Sequence, residues 1–232
     1  MKKKILLLLV LVIGIFGITA CGKKEARKEA IDFKNEYEAL NGKVARGDLV
    51  YRSLNISDKN PFIKTTDEDI ANKLANNETF YLYVGDPLCP WCRSGLEKFT
   101  NVAIDKKIKD IYYIDFWDDN HNEILRDLYE IELDKDSHIA KETKRGTDSY
   151  YKILDAVEDF VQEYTITKDN KTYGVGEKRI YGGDIFYFEN GKCKKYVSLR
   201  SDKLANAFDE LSEEVLKDQE DKFSEFFDKK AE

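Results

Sequence analysis

Cys89-Pro90-Trp91-Cys92 follows an apolar run, Phe80-Tyr81-Leu82-Tyr83-Val84, and opens a segment with helical periodicity. A buried strand that turns directly into a helix constrains this region to an α/β unit, with a sheet covered by helices. Two thiols spaced i and i+3 at that turn lie within disulfide reach of each other. The first occupies the helix N-terminus, where unpaired N–H groups and the helix dipole favour a thiolate. The pattern suits one thiol that attacks and a second that resolves, so the chemistry it suggests is redox exchange.

The rest of the chain sets the context for that chemistry. Lys2, Lys3 and Lys4 precede an uncharged apolar run from Ile5 to Thr19. As a helix that run spans roughly 22 Å, short of a hydrocarbon core of about 30 Å. Residues 1–20 therefore read as a signal peptide. Its end, Ile18-Thr19-Ala20-Cys21-Gly22, resembles a bacterial lipobox, which implies lipidation of Cys21 by palmitate-type acyl chains and retention at the outer face of the cell membrane. Two acyl chains suffice for stable anchoring. The alternative is an ordinary cleavage site with an incidental cysteine. Without the signal lysines, 35 basic residues stand against 45 acidic ones, a net charge of −10. That balance argues against nucleic-acid binding and against electrostatic attraction to an anionic membrane.

Helical spacing of Ala30, Phe33, Tyr37 and Leu40 predicts a helix over Glu25 to Leu40, within a segment 21–43 that serves as a stalk or docks on the domain. A strand is expected at Leu49 to Leu54, a loop at Asn60-Pro61-Phe62, and a short helix at Asp67 to Ala75 capped by Thr66. Further helix is expected from Pro90 to about Ile108 and strand from Ile111 to Phe116. Residues 117–163 read as a helical insertion: an acidic, partly helical stretch from Trp117 to Arg145, then a helix from Asp148 to Tyr164 with Tyr151, Leu154, Val157 and Val161 along its buried face. Ile185 to Phe188 and Lys195 to Val197 flank Asn190-Gly191, a hairpin signature. A long helix from Asp202 to about Lys229, with Leu204, Phe208, Leu211 and Val215 inward, ends the chain.

On the residues Cys89-Pro90-Trp91-Cys92-Arg93-Ser94, Asn60-Pro61-Phe62, Gly176 to Tyr181 and the Phe188-Glu189-Asn190-Gly191 turn, the chain resembles the thioredoxin superfamily over roughly Val44 to Lys217, within a domain taken as 44–232. More narrowly, the chain resembles thioredoxin-like lipoproteins of Gram-positive bacteria, including those named bacteriocin transport accessory proteins. The resemblance implies a central mixed β-sheet flanked by helices and a membrane-anchored thiol–disulfide oxidoreductase acting on protein or peptide thiols. Cys89 would be the nucleophile, Cys92 the resolving thiol, and Pro90 and Trp91 would set the redox poise. It calls for no cofactor beyond the Cys89–Cys92 disulfide. Three departures stand out. Leu88 replaces the Trp before the first cysteine, and Tyr83 replaces a buried Asp six residues upstream. Gly183, in Tyr181-Gly182-Gly183-Asp184, replaces the cis-proline that shapes the substrate groove.

Other readings compete. Cys89 and Cys92 could form a structural disulfide, although so short a loop stabilises little. A zinc site lacks a second ligand pair, so no metal is assigned. Cys193 reads as a spare, half-buried thiol, and Trp117 to Glu123 and His138 as solvated surface. Asp184 stands beside the glycine pair, placed to face the disulfide. With the glycines in place of proline, a non-catalytic accessory or binding lipoprotein is the alternative to the enzyme.

Overall fold

The computed structural model describes residues 26–118, 120–134 and 137–228. The signal segment and Cys21 lie outside the described residues. The elements are α1 (Lys28–Glu38), β1 (Val44–Arg46), β2 (Leu49–Val50), β3 (Phe62–Lys64), α2 (Asp67–Ala75), β4 (Phe80–Gly85), α3 (Pro90–Asp105) and β5 (Ile111–Asp115). Then follow β6 (Leu128–Leu133), β7 (His138–Lys144), α4 (Asp148–Val157), β8 (Glu163–Lys168), β9 (Lys171–Lys178), β10 (Asp184–Glu189), β11 (Lys192–Ser198) and α5 (Glu213–Asp228).

The architecture is mixed α/β. A five-stranded sheet has the order β11-β10-β4-β5-β3, with β3, β5 and β4 parallel and β10 antiparallel to both of its neighbours, β4 and β11. Alternation along the strands divides the core into two layers. Tyr83, Tyr113 and Ile185 point to the face covered by α1, α3 and α5, where they meet Phe33, Tyr37, Phe99 and Phe223. Leu82, Val84, Ile114 and Phe186 point to the opposite face, against Ile70 of α2 and Tyr150, Ile153 and Val157 of α4. Glycine at Gly191 and the left-handed Asn190 before it close the β10–β11 hairpin as the Asn-Gly signature requires.

Helix α1 docks. Phe33 stacks on Phe62 at 4.1 Å between ring centroids, and the Tyr37 hydroxyl meets that of Tyr83 at 2.9 Å. The helix α2 and its Thr66 cap occur as the spacing predicts, with Asp69 N–H donating to the Thr66 hydroxyl.

Four expectations are corrected. The strand at Leu49 to Leu54 shortens to β2, which pairs only with β1, and the sheet's edge strand is β3, in the stretch read as a loop. Leu54 and Ile56 are buried without strand partners because side chains satisfy their N–H groups: Asn41 Oδ1 accepts from Leu54, and Glu38 Oε1 from Ile56. The acidic stretch from Trp117 to Arg145 carries no helix among its described residues; its period-two pattern forms the β6–β7 hairpin, with Ile131 its buried member. Helix α4 ends at Val157, and its buried face is Tyr150, Ile153 and Val157, one residue before the stripe through Tyr151 and Leu154. Beyond it, Thr165-Ile166-Thr167 favours strand, and Asp169-Asn170, both left-handed, turn β8 into β9. The last helix begins at Glu213, not Asp202. Asn206 and Asp209 side chains bond nearby N–H groups to form turns, and Ser212 caps the helix by accepting from Val215.

Helix α3 approaches β11 closely at Gly95. A Cβ there would lie 2.3 Å from the Leu199 carbonyl oxygen. Gly95→Ala is expected to destabilise the protein by about 1–3 kcal/mol through overpacking, measured as a lowered urea midpoint at unchanged slope.

Candidate functional site

Cys89 caps α3. Its φ of −75° and ψ of 112° are extended, and its sulfur accepts a hydrogen bond from the Cys92 N–H at 3.2 Å. Pro90 occupies the first helical turn, where its missing N–H costs nothing and its fixed φ suits the helix. Both thiols are free, Cys89 half-buried and Cys92 fully buried behind it. The first thiol is thus the accessible one and the second the covered one.

Burial pushes the Cys92 thiol well above its ordinary range, and the hydrogen bond with Cys89 raises it further. Tyr83 and the Asp86 main chain act in the opposite direction. The Asp86 carboxyl is turned to the Leu88 N–H and raised to about 6 by burial. Asp86 is thus a loop residue, as its neighbours Gly85 and Pro87 suggest, but a buried one.

Arg93 was quoted in the sequence only as a neighbour of the cysteines, yet it is 1 % exposed. Its guanidinium donates to the carbonyls of Arg52, Tyr37 and Pro87 and to Asn41 Oδ1. The sequence signal that could have found it is its place in α3, where it lies on a helix face that also carries Leu96.

The loop opposite the sulfurs is Tyr181-Gly182-Gly183-Asp184. Gly182 is the nearer glycine: a Cβ there would lie 3.2 Å from each sulfur and 3.0 Å from the Phe116 ring. At Gly183 a Cβ would lie 4.0 Å from Cys92 Sγ. Gly183 has φ +102° and donates its N–H to the Val84 carbonyl, so a proline could adopt neither its backbone nor its hydrogen bond. No cis peptide bond occurs among the described residues.

Asp184 is buried and does not turn its charge to the sulfurs. One carboxylate oxygen accepts from the Tyr181 N–H at 2.8 Å and the other from the Tyr196 hydroxyl at 2.9 Å, clamping the glycine loop. Burial raises its carboxyl to about 6. The insertion braces the same loop from behind. Arg126 pairs with Glu123 at 2.6 Å, donates to the Ile180 carbonyl and lies 3.6 Å over the Phe116 ring, while Arg179 bonds the Asp127 carbonyl. The sequence reads Glu123 as solvated surface; the structure buries it in this ion pair.

A cleft of about 900 Å³ is lined by Cys89, Trp91, Tyr181, Tyr196 and Arg200, together with Glu163 and Thr165 of β8. The Arg200 guanidinium lies 4.6 Å over the Trp91 ring. Cys193 is apart from the site and half-buried; burial pushes its thiol up to about 12. His138 is exposed, bonding the Gly174 carbonyl. Among the described residues no helix is long and apolar enough to cross a membrane.

No protein-family model matches the chain, and no curated protein matches it.

Because the Asp184 carboxyl is held near 6 against an ordinary 3.8, the folded state binds a proton more readily than the unfolded chain. This group therefore opposes folding at pH 7, and the opposition fades as pH falls through 6 toward 4. Relative to Asp184→Asn, the wild type should gain up to about 3 kcal/mol between pH 7 and pH 4 in urea unfolding. A difference that does not change with pH would show that Asp184 titrates normally.

Proposed function

We propose that the chain is a thiol–disulfide oxidoreductase of thioredoxin-like fold, tethered through lipid on Cys21 to the outer face of a bacterial membrane. The observation that carries this reading is the cysteine pair: Cys89 meets a cleft at a helix N-terminus, its sulfur held by the Cys92 N–H, with the second thiol buried behind it. The sheet order, with the pair at the end of the central strand β4 and a hairpin closing one side, supports the fold assignment.

In the reductive direction, the Cys89 thiolate attacks one sulfur of a substrate disulfide. That S–S bond breaks, the substrate's other sulfur leaves and takes up a proton, and Cys89 is joined to substrate. Cys92 then loses its proton and attacks Cys89 Sγ. The Cys89–Cys92 bond forms, the substrate's second sulfur leaves as a thiolate and is protonated, and two electrons have passed to the substrate. The oxidative direction is the reverse. The cleft, at about 900 Å³, has room for a peptide segment of a substrate, and peptide or bacteriocin export is a context in which such a lipoprotein would work.

The second reading is an accessory lipoprotein that binds without turnover. It is favoured by the glycine pair, which leaves the sulfurs facing bare backbone where the resemblance implies a proline.

Turnover separates the two. Full-length protein in detergent should reduce a disulfide-bonded test protein in the presence of excess dithiol, Cys89→Ser should lose at least about a hundredfold, and Cys92→Ser should accumulate a mixed disulfide visible by mass. Wild type and Cys89→Ser that are equally inert would leave the binding reading in its place.

A further inference from the structure

Tyr83 stands where the resemblance implies a carboxylate, and the structure gives it a specific setting. Its ring runs along β4 over Gly85, at the end of the strand that leads to the cysteine loop: a Cβ at residue 85 would lie 2.1 Å from the Tyr83 hydroxyl. Glycine at this position is therefore what makes room for the phenol. Tyr83 and Cys92 are both fully buried in the same core layer. Behind Tyr83, the Tyr37 hydroxyl of α1 lies 2.9 Å away, and the Tyr113 ring stacks on Tyr83 at 5.3 Å. Helix α1 is held in that position by Arg93, the residue after Cys92, whose guanidinium bonds the Tyr37 carbonyl at 2.8 Å.

We infer that Tyr83 is a positioning residue for the resolving thiol, its hydroxyl donating a hydrogen bond to the Cys92 sulfur while Tyr37 donates to Tyr83. The inference rests on the redox reading of the cysteine pair. A phenol in this place cannot accept the proton of Cys92 as a carboxylate would, because burial holds Tyr83 well above its ordinary range. It can instead stabilise the thiolate as it forms, as a neutral donor whose hydroxyl Tyr37 already holds in place. The direction of the Tyr37 bond matters: Tyr83 can give its one proton to sulfur only if its oxygen accepts from Tyr37. Hydrogen bonding acts accordingly, lowering the Tyr83 phenol through Tyr37 and the Cys92 thiol through Tyr83. The element closest in sequence to the lipidation candidate thus supplies part of the thiol site.

The test is a single-turnover reaction of the reduced full-length chain, in detergent and carrying Cys21→Ser and Cys193→Ser, with the aromatic disulfide 5,5′-dithiobis(2-nitrobenzoate). Attack by Cys89 releases one thionitrobenzoate and leaves a mixed disulfide; attack by Cys92 on Cys89 releases the second and closes the pair. In Tyr83→Phe the first release should keep its rate. The second should slow at pH 7 by about tenfold or more, with its pH midpoint raised by about one unit, as expected for loss of a hydrogen bond to a charged sulfur. Tyr37→Phe should move the same midpoint in the same direction by a smaller amount. A second release with wild-type midpoint in either folded variant overturns the inference while both phases stand as support for the redox reading. If the wild type releases nothing that Cys89→Ser does not, the redox reading itself has failed.

Discussion

The guanidinium of Arg93 is the interaction on which the arrangement around the cysteines depends. It is a buried cation that meets main-chain and amide oxygens, and these come from four separate stretches: the end of α1, Asn41, Arg52 and the loop before Cys89. Carbonyl dipoles offset the cost of removing a charge from water only when enough of them converge. The α1 docking, the irregular course of residues 41–56 and the position of the cysteine loop are therefore mutually dependent. Burial holds the Arg93 guanidinium below its ordinary range, which is the physical trace of that cost.

Such an arrangement explains which parts were legible in the sequence. Local signals with a steric basis read directly: the Thr66 cap, the Asn-Gly hairpin, the strand before Cys89 and the helix after it. Cys89 and Cys92 came together as their spacing implied, the glycine pair lies opposite them as the resemblance implied, and Asp184 stands beside it. What sequence could not show was how backbone groups are satisfied at a distance. Residues 51–56 have strand-like composition, but side chains of Asn41 and Glu38 bond their N–H groups, so no strand partner is required. The β6–β7 hairpin was hidden for a different reason: its alternation is mostly polar, and Ile131 alone is buried, which gives little periodic contrast. Asp184 was legible as a neighbour of the site but not as a clamp, because its partners Tyr181 and Tyr196 depend on the register of two strands.

The site differs from the pattern its sequence resembles in a coherent way. Where a carboxylate would sit, there is a phenol whose ring requires Gly85 to lack a side chain. Where a proline would sit, there are two glycines, one close to both sulfurs and one with a backbone that proline cannot adopt. The charges that remain nearby, Asp86, Asp184 and the Glu123–Arg126 pair, are occupied in holding loops. The sulfurs are consequently surrounded by hydroxyl and amide dipoles, with the Arg93 guanidinium as the buried charge close by.

Leu199 gives this assembly a fixed dimension. Its N–H bonds the Gly183 carbonyl at 2.8 Å, and its own carbonyl is the atom that α3 approaches at Gly95. One peptide segment therefore acts as a gauge between the helix that carries the cysteines and the loop that faces them. The gap between sulfurs and loop is set by main-chain atoms and by the missing side chains of Gly95 and Gly182, not by the side chains along the rest of the cleft. Side chains lining the cleft can vary in size and charge, altering what is admitted, while the distance at which a sulfur meets its target stays constant.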